Sequence, residues 1–555
     1  MRLNGLLILL RSYFFDRRRW WLWFWFIVLF SAYIINIKLA VALNEWNGRF
    51  FNALQTVDKN SIYHELFYFI FLAAAIIILL VSAGYLKDRL ILILRRDITY
   101  EFFNRWMSNN SAHFFLKESN REPDNPDQRM TEDIRIMSSL GINLSVSLFD
   151  SLLTIGNFSI ILWKLSGSVE IAGYTIHGYM FWVCVFYTLI TSYFTHLIGR
   201  KIKFFNIHVQ RSEADLRTSL IEKRQHADAI AGAHGESFEI ESLKHRFDDL
   251  MQMLIALIKR QRNLNYFTVG VGQFTHLAPI FFSLPSFFAG QIQLGGLMQV
   301  RGAFNDVARS LSWFILAYDD LAMLAAALER LGRLEEGLRA ADQNYRDIAS
   351  RKREASKLFA DIKLEIPSHQ DNKPSPLPIH FNPPIGSFTI VTGPSGEGKS
   401  TLLKALAGFY GHYKGIIECP THLFWLPQKS YLFKGSLRAN LAYPSSESRL
   451  STEVARNYLN KVGLSYLCDQ LNAIREWSTV LSGGEQQRIC LIRVFINQPK
   501  LALLDESLSA LDSACAKNIC LSLQTELPYS TIILVTHQKN LITKQNQVLT
   551  LNRNI

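Results

Sequence analysis

Leu481-Ser482-Gly483-Gly484-Glu485-Gln486-Gln487-Arg488 is the stretch that decides the reading of this 555-residue chain. It lies between a glycine loop, Gly393-Pro394-Ser395-Gly396-Glu397-Gly398-Lys399-Ser400, and the apolar run Leu501-Ala502-Leu503-Leu504-Asp505-Glu506. Upstream of the loop, Ser387-Phe388-Thr389-Ile390-Val391 reads as a buried strand, and Lys399-Ser400-Thr401-Leu402-Leu403 opens a helix. Strand, glycine loop and helix in this order make a phosphate site. The glycines let backbone N–H groups curl round phosphate oxygens, and the helix N-terminus adds a favourable dipole. Residues Gly393 to Thr401 are therefore expected to hold ATP. Lys399 should reach its β and γ phosphates, and the Ser400 hydroxyl should ligate Mg2+.

The second apolar run predicts a strand that ends in two acids. Asp505 is expected to hold Mg2+. Glu506 is expected to polarise the attacking water, which needs a carboxylate in hydrogen-bond reach of the γ phosphate. Ser509-Ala510-Leu511-Asp512 follows, and Thr531-Ile532-Ile533-Leu534-Val535-Thr536-His537 gives another strand ending in a candidate γ-phosphate sensor, His537. Gln428, in Leu426-Pro427-Gln428, stands between loop and octapeptide, where it can touch both Mg2+ and water.

The N-terminal half is of another kind. Membrane crossing takes about 20 apolar residues. Residues 20–43, 66–86, 171–199 and 264–289 meet this, and 144–163 and 298–328 are less pure spans containing Asp150 and Arg301, Asn305, Asp306 and Arg309. The single Lys38 in the first span is outweighed by its apolar residues and is expected to snorkel toward an interface. Arg301, Asn305 and Arg309 recur every four residues and share one helix face. That face is expected to line a translocation path, the alternative being an interhelical network. The run 20–43 is too long for a cleaved signal segment and reads as a retained span.

A net charge of +12 would suit nucleic acid, but the basic clusters flank apolar spans, as in Arg17-Arg18-Arg19 and Arg200-Lys201-Lys203. The expectation is a positive-inside membrane topology and no nucleic acid. Both termini, the ATPase part and the long loops 87–143 and 200–263 then lie in the cytoplasm. None of the 6 cysteines forms a CxxC pair, which excludes a disulfide framework or a cysteine zinc site. The fold class expected is a multidomain membrane protein. A six-helix transmembrane domain (1–335) is joined by a linker (336–357) to an α/β phosphate-loop ATPase (358–555).

These motifs resemble those of ATP-binding cassette transporters across essentially the whole chain. The resemblance implies a type IV, exporter-like membrane fold and a signature at Ser482, Gly483, Gly484 and Glu485. Asp512 is then the D-loop acid, Gln428 the Q-loop residue, Glu506 the catalytic base and His537 the switch. It further implies ATP clamped between two head-to-tail cassettes. With one cassette and one membrane domain, the chain is expected to be a half-transporter that pairs with a second copy of itself.

Asn125-Pro126-Asp127-Gln128-Arg129, Ala227-Asp228-Ala229-Ile230-Ala231, and Trp46-Asn47-Gly48-Arg49-Phe50-Phe51-Asn52-Ala53-Leu54-Gln55 with Met298 to Phe304 narrow the likeness. They resemble the peroxisomal-type (ABCD) and bacterial SbmA/BacA- and YddA-like subfamily. That likeness implies import of peptides or cobalamin-like hydrophilic solutes across a bacterial inner membrane, in contact with its lipid. The alternatives are export or flipping of lipid-like or acyl-CoA-like substrates, and a non-transporting anchored ATPase. One departure concerns the adenine base: Ile366-Pro367-Ser368-His369-Gln370 offers no aromatic to stack on it, and His369 is the substitute in that stretch.

Overall fold

The computed structural model describes residues 20–108, 112–118, 125–166, 168–171, 174–288, 290–366, 375–541 and 546–552. His369 and the basic residues Arg11 and Arg17 to Arg19 lie outside the described residues. The chain divides into two compact units, Met1–Phe103 with Pro123–Glu335, and Asn104–Glu122 with Glu336–Ile555.

The first unit is built from long helices: α1 (Trp20–Gln55), α2 (Lys59–Trp106), α4 (Pro126–Leu165), α5 (Tyr179–Gly199), α6 (Ile202–Gln225), α7 (Glu236–Phe288), α8 (Leu294–Leu311) and α9 (Tyr318–Arg351). The short α3 (Ala112–Glu118) belongs to the second unit. Among the described residues, 5 helical stretches are long and apolar enough to cross a membrane: α1, α2, α4, α5 continued into α6, and α7.

Two expected spans differ from the structure. The run 171–199 is helical only from Tyr179, because Ser168–Ile171 (β1) and Tyr174–His177 (β2) pair as an antiparallel hairpin before it. The run 298–328 is split into α8, the turn Trp313–Leu316 and α9, and its charged residues keep it out of the apolar class. It is nonetheless a core element: α8 buries Leu297, Val300, Ala303, Phe304, Val307 and Ala308. The expected 336–357 linker is mostly helix, since α9 runs on to Arg351.

The two sequence stretches 46–55 and 298–304 are opposite sides of one contact. Asn52 Oδ1 accepts from the Gly295 N–H (2.8 Å) and Gln55 Oε1 from the Leu294 N–H (3.0 Å), so α1 caps the open N-terminus of α8. Asn44 Nδ2 donates to the Gln299 carbonyl at 3.1 Å. Glycine is required for this approach: a Cβ at Gly295 would lie 1.9 Å from the Gly48 carbonyl oxygen, and one at Gly48 would lie 2.2 Å from the Gln299 amide. On its other side the same stretch locks to α2. There Arg49 Nε meets Glu65 Oε1 at 2.8 Å and Trp46 Nε1 donates to the Glu65 carbonyl at 2.8 Å. Lys38 Nζ donates to Asn157 Oδ1 on α4 at 3.5 Å. At the base of α4 a π turn, Arg129–Asp133, presents the buried Asp133 carboxylate to Arg129 Nη1 (2.9 Å) and Arg330 Nε (2.9 Å).

The described residues of the second unit form two larger sheets and a short antiparallel pair, β9 (Lys434–Ser436) with β10 (Ile474–Glu476). Five parallel strands run in the order β13 (Gln547–Thr550), β6 (Phe388–Thr392), β12 (Thr531–Val535), β11 (Leu501–Asp505), β8 (Leu423–Leu426). The central β11 and β12 are buried at every position, as unbroken apolar runs in a parallel sheet should be. A second sheet has the order β3 (Lys352–Glu354), β7 (Tyr413–Cys419), β4 (Phe359–Ile366), β5 (Ser375–Phe381). Pro376 and Pro378 sit on its edge strand β5, where a missing N–H is tolerated.

Gly295→Val should force α1 and α8 apart and destabilise the helical unit by about 1–3 kcal/mol. A lowered unfolding midpoint of the purified protein checks this, and an unchanged midpoint would contradict the glycine contact.

Candidate active site

The register of the parallel sheet assembles the site. Asp505 pairs with Val535, Leu504 with Leu426, and Val535 with Val391. The residues beyond these positions, Glu506, His537, Gln428 and Gly393, therefore leave the sheet at one edge, the carboxyl ends of its strands. Ligands of open parallel sheets bind at that edge.

At the end of β6 the loop turns through Gly393, Gly396 and Gly398, with φ of 149°, 87° and 91°. Gly398 is doubly required, because a Cβ there would meet the Ile366 side chain at 2.2 Å. A Cβ at Gly396 would meet nothing within 4 Å, so only its left-handed backbone demands glycine. Lys399, at the start of α10 (Lys399–Ala407), is buried and donates to the carbonyls of Gly393 (2.8 Å) and Pro394 (2.7 Å). An ammonium so held lies within the curl of the loop, where phosphate oxygens would be its stronger partners.

Ser400 Oγ donates to Asp505 Oδ1 at 3.0 Å. Burial pushes the Asp505 carboxyl above its usual range, and the Ser400 hydroxyl with Lys404 and Lys399 works against that shift. A hydroxyl and a carboxylate in contact, with the Gln428 side chain at the same edge, form a hard oxygen donor set that fits Mg2+. No group of three or more His, Cys, Asp or Glu among the described residues could hold a metal alone. Such an ion would complete its shell from water and phosphate oxygens.

Glu506 stands one residue beyond. Its φ is +47°, a left-handed conformation rare for a glutamate and costing about 1–3 kcal/mol. The carboxylate is bracketed: Gln428 Nε2 donates to Oε2 at 2.7 Å and His537 Nε2 lies 3.3 Å from Oε1. A carboxylate aimed off a strand end between an amide and an imidazole can accept a proton from a water placed among the three.

The signature octapeptide starts helix α13 (Gly483–Asn497; α11 is Leu437–Ala442 and α12 Thr452–Lys461). Ser482 and Glu485 form a capping box in which the Ser482 N–H and hydroxyl both donate to Glu485 Oε2 at 2.8 Å. Tyr466 donates to the other oxygen, Oε1. Burial and this carboxylate push the Tyr466 phenol up to about 12, and the phenol is the main cause holding Glu485 below the ordinary carboxylate range. Glu485, expected to contact nucleotide, thus spends its carboxylate within the chain. Asp512 caps α14 (Ser513–Glu526), accepting from the Cys515 N–H at 3.2 Å.

Several contacts that position these motifs leave no mark in the sequence. Gln487, buried on α13, donates to Ser509 Oγ (3.1 Å) and accepts from the Ala510 N–H (3.0 Å), tying the signature helix to the segment before Asp512. Asn440, fully buried, holds Phe433 through its N–H (3.0 Å) and carbonyl (2.9 Å), and its own carbonyl accepts from Arg493 Nε at 2.8 Å. The chain after Gln428 is thereby bound to α13. The pairing of a glutamine with a polar segment across 22 residues leaves no periodic trace in sequence, but it joins two of the motifs. Finally α3 packs within the second unit: Phe114 lies 4.9 Å from the Phe409 ring and 6.2 Å from Trp425, beneath Lys404 Nζ at 5.8 Å. Those residues border α10 and the strand that leads to Gln428.

Gln487→Ala should lower ATP turnover about tenfold, two hydrogen bonds being worth about 0.5–1.5 kcal/mol each, with nucleotide affinity little changed. Steady-state hydrolysis beside a nucleotide titration checks it; equal losses in both would contradict a positioning role.

Comparison with known proteins agrees with this architecture. Residues 9–288 match the family model described as ABC transporter transmembrane region 2, and residues 378–509 match that described as ABC transporter. The chain is 33% identical over 522 residues, covering 92% of itself and 91% of its relative, to the inner membrane ABC transporter ATP-binding protein YddA of Escherichia coli. It is 26% identical to the human lysosomal cobalamin transporter ABCD4, covering 75% of this chain and 73% of that one. A solved bacterial Atm1-family ABC exporter with ATP bound has the same fold, with a TM-score of 0.72 at 14% identity over 97% of this chain and 94% of that chain. A single helical membrane unit, a single cassette and these likenesses together establish the assignment: the chain belongs to the ATP-binding cassette transporters, as an ABCD- and YddA-like half-transporter whose ATP hydrolysis is coupled to transport.

Proposed function

We propose that two copies of the chain close their cassettes head to tail over ATP and Mg2+, and so drive uptake of hydrophilic solutes, peptides or cobalamin-like molecules, across a bacterial inner membrane. The observation that carries the reading is a complete hydrolytic cluster paired with an open signature. Glu506 is bracketed by Gln428 and His537, while a Cβ at Gly483 would meet nothing within 4 Å. Gly483 is not left-handed either, so nothing within one chain demands glycine there. A ligand pressed against the start of α13 does, and a helix N-terminus is suited to phosphate.

In this reading Lys399 turns from the loop carbonyls to the β and γ phosphates, and the N–H groups of residues 393–401 enclose them. Ser400 and Asp505, with Gln428, hold the metal, which when bound supplies charge against the phosphate oxygens. Glu506 takes the proton of the attacking water as its oxygen bonds to the γ phosphorus and the bond to ADP breaks. His537 and Gln428 fix the Glu506 carboxylate, and Ser482, Gly483 and Gly484 of the second copy cover the phosphate from the other side. Docking of α3 beside Phe409 and Trp425 supports a mechanical link, since these residues flank the phosphate helix and the Gln428 segment.

A hydrophilic cargo is supported by the polar face of α8. Arg301 and Asn305 are half-buried there, and Asn305 Oδ1 is buried without a hydrogen-bond partner among the described residues. Arg309, one turn on, meets Asp306 at 2.8 Å. The similarity to a cobalamin transporter and to an inner-membrane protein supports the substrate class and the membrane of this reading. The positive-inside pattern keeps both termini and the cassette in the cytoplasm.

Glu506→Gln should leave ATP bound, trap a dimer and cut turnover at least about a hundredfold; rapid residual hydrolysis would remove Glu506 from the role of base. In proteoliposomes, hydrolysis should rise with peptides or cobalamin and not with acyl-CoA, and Arg301, Asn305 and Arg309 changed together to alanine should abolish that rise. Stimulation by acyl-CoA, or solute movement away from the cassette side, would favour the lipid-type exporter instead.

A further inference from the structure

Helix α5 is pinned along its length against the C-terminal part of α7. Tyr179 donates to the Phe282 carbonyl at 2.9 Å, and Tyr187 bridges to the Val271 carbonyl (3.1 Å) and Thr275 Oγ1 (2.8 Å). At the far end Gly199 faces Leu264, whose side chain lies 3.7 Å from where a Cβ on Gly199 would stand, an ordinary packing distance. This antiparallel register places Arg200 and Lys201, where α5 ends, beside Arg260 and Asn263 of α7. With Leu197 and Ile198 they line a pocket of about 530 Å³.

Three features of the pocket converge. No carboxylate comes within 4.0 Å of Arg200, Lys201 or Arg260 among the described residues, so three cations face one cavity without a counter-ion. Asn263 Oδ1 already accepts from Arg262 Nη2 at 3.2 Å, which leaves its amide N–H groups to donate. The pocket also lies at the boundary of both apolar runs: residues 179–199 and 264–288 contain no Asp, Glu, Lys or Arg. Such a boundary is the level of lipid headgroups, and Leu197 and Ile198 continue from it into the apolar layer.

We propose that this pocket is a binding site for an anionic phospholipid. Its phosphate sits among Arg200, Lys201 and Arg260 with Asn263 donating, and its acyl chains lie against Leu197 and Ile198. Basic pockets between membrane helices recognise lipid phosphates in this way, and each cation near the surface strengthens binding severalfold. The site is separate from the nucleotide cluster and from the polar face of α8, and it does not rest on the direction or cargo proposed above.

The test is native mass spectrometry of the full-length protein in detergent, stripped of lipid and titrated with phosphatidylglycerol, phosphatidylcholine or inorganic phosphate. The expected result is stoichiometric retention of phosphatidylglycerol, at least about tenfold weaker in the variant R200Q/K201Q/R260Q, and no competition from inorganic phosphate. Arg260→Lys should keep binding, and Arg260→Gln alone should weaken it severalfold, which covers failure of the triple variant to fold. Equal retention of phosphatidylcholine, full binding by the glutamine variants, or displacement by inorganic phosphate would each overturn the proposal.

Discussion

The alignment of strand ends in the parallel sheet is the constraint on which the cassette rests. The functional side chains come from four strands: Lys399 and Ser400 follow β6, Gln428 follows β8, Asp505 and Glu506 end β11, and His537 follows β12. Backbone pairing of β11 with β8 and β12, and of β12 with β6, brings them to one edge. Slipping one strand by a residue would turn its side chains to the opposite face and undo the cluster. A slip that drew Glu506 into β11 would bury its carboxylate, because β11 and β12 are buried at every position. The strained Glu506 backbone is sustained by the same pairing, through its N–H to the Val535 carbonyl at 3.1 Å.

A second layer of contacts makes the motifs act together. Gln487 couples the signature helix to the D-loop segment, and Asn440 with Arg493 couples the chain after Gln428 to that helix. These bonds tie α13 both to the segment before Asp512 and to the chain after Gln428. The capping box makes Glu485 part of this framework and leaves Ser482 and Gly483 as the exposed edge. In the helical unit, close packing through Gly48 and Gly295 plays the corresponding part, letting α1 supply the partners that the start of α8 lacks.

Motifs whose chemistry is local were legible in the sequence itself. The glycine loop, the acid pair and the strand ending near His537 each combine a short apolar run with polar residues at its end, and strand and helix periods show at that scale. The expected sixth span, 298–328, is less legible. Its apolar total is large enough for a span, yet Arg301, Asp306 and Arg309 make it amphipathic, and breaks at Ser312 and Ala317 carry no proline or glycine to announce them. The second strand of the hairpin before Tyr179 falls inside the expected span 171–199 for a similar reason, since Ile171 and Ile176 count as apolar in either conformation.

Sequence alone determined the class of the protein: apolar runs of membrane length, a phosphate loop, a signature and an acid-tipped strand, all set by hydrophobic burial and backbone conformation over a few residues. Tertiary structure alone decided what these parts touch. It turned Lys38 to Asn157, gave Glu485 to its own helix cap, set Gln428 and His537 on either side of Glu506, and gathered Arg200, Lys201 and Arg260 into one pocket. The physical reason is that such contacts join residues far apart in the chain, through register and helix packing, and no local period records them.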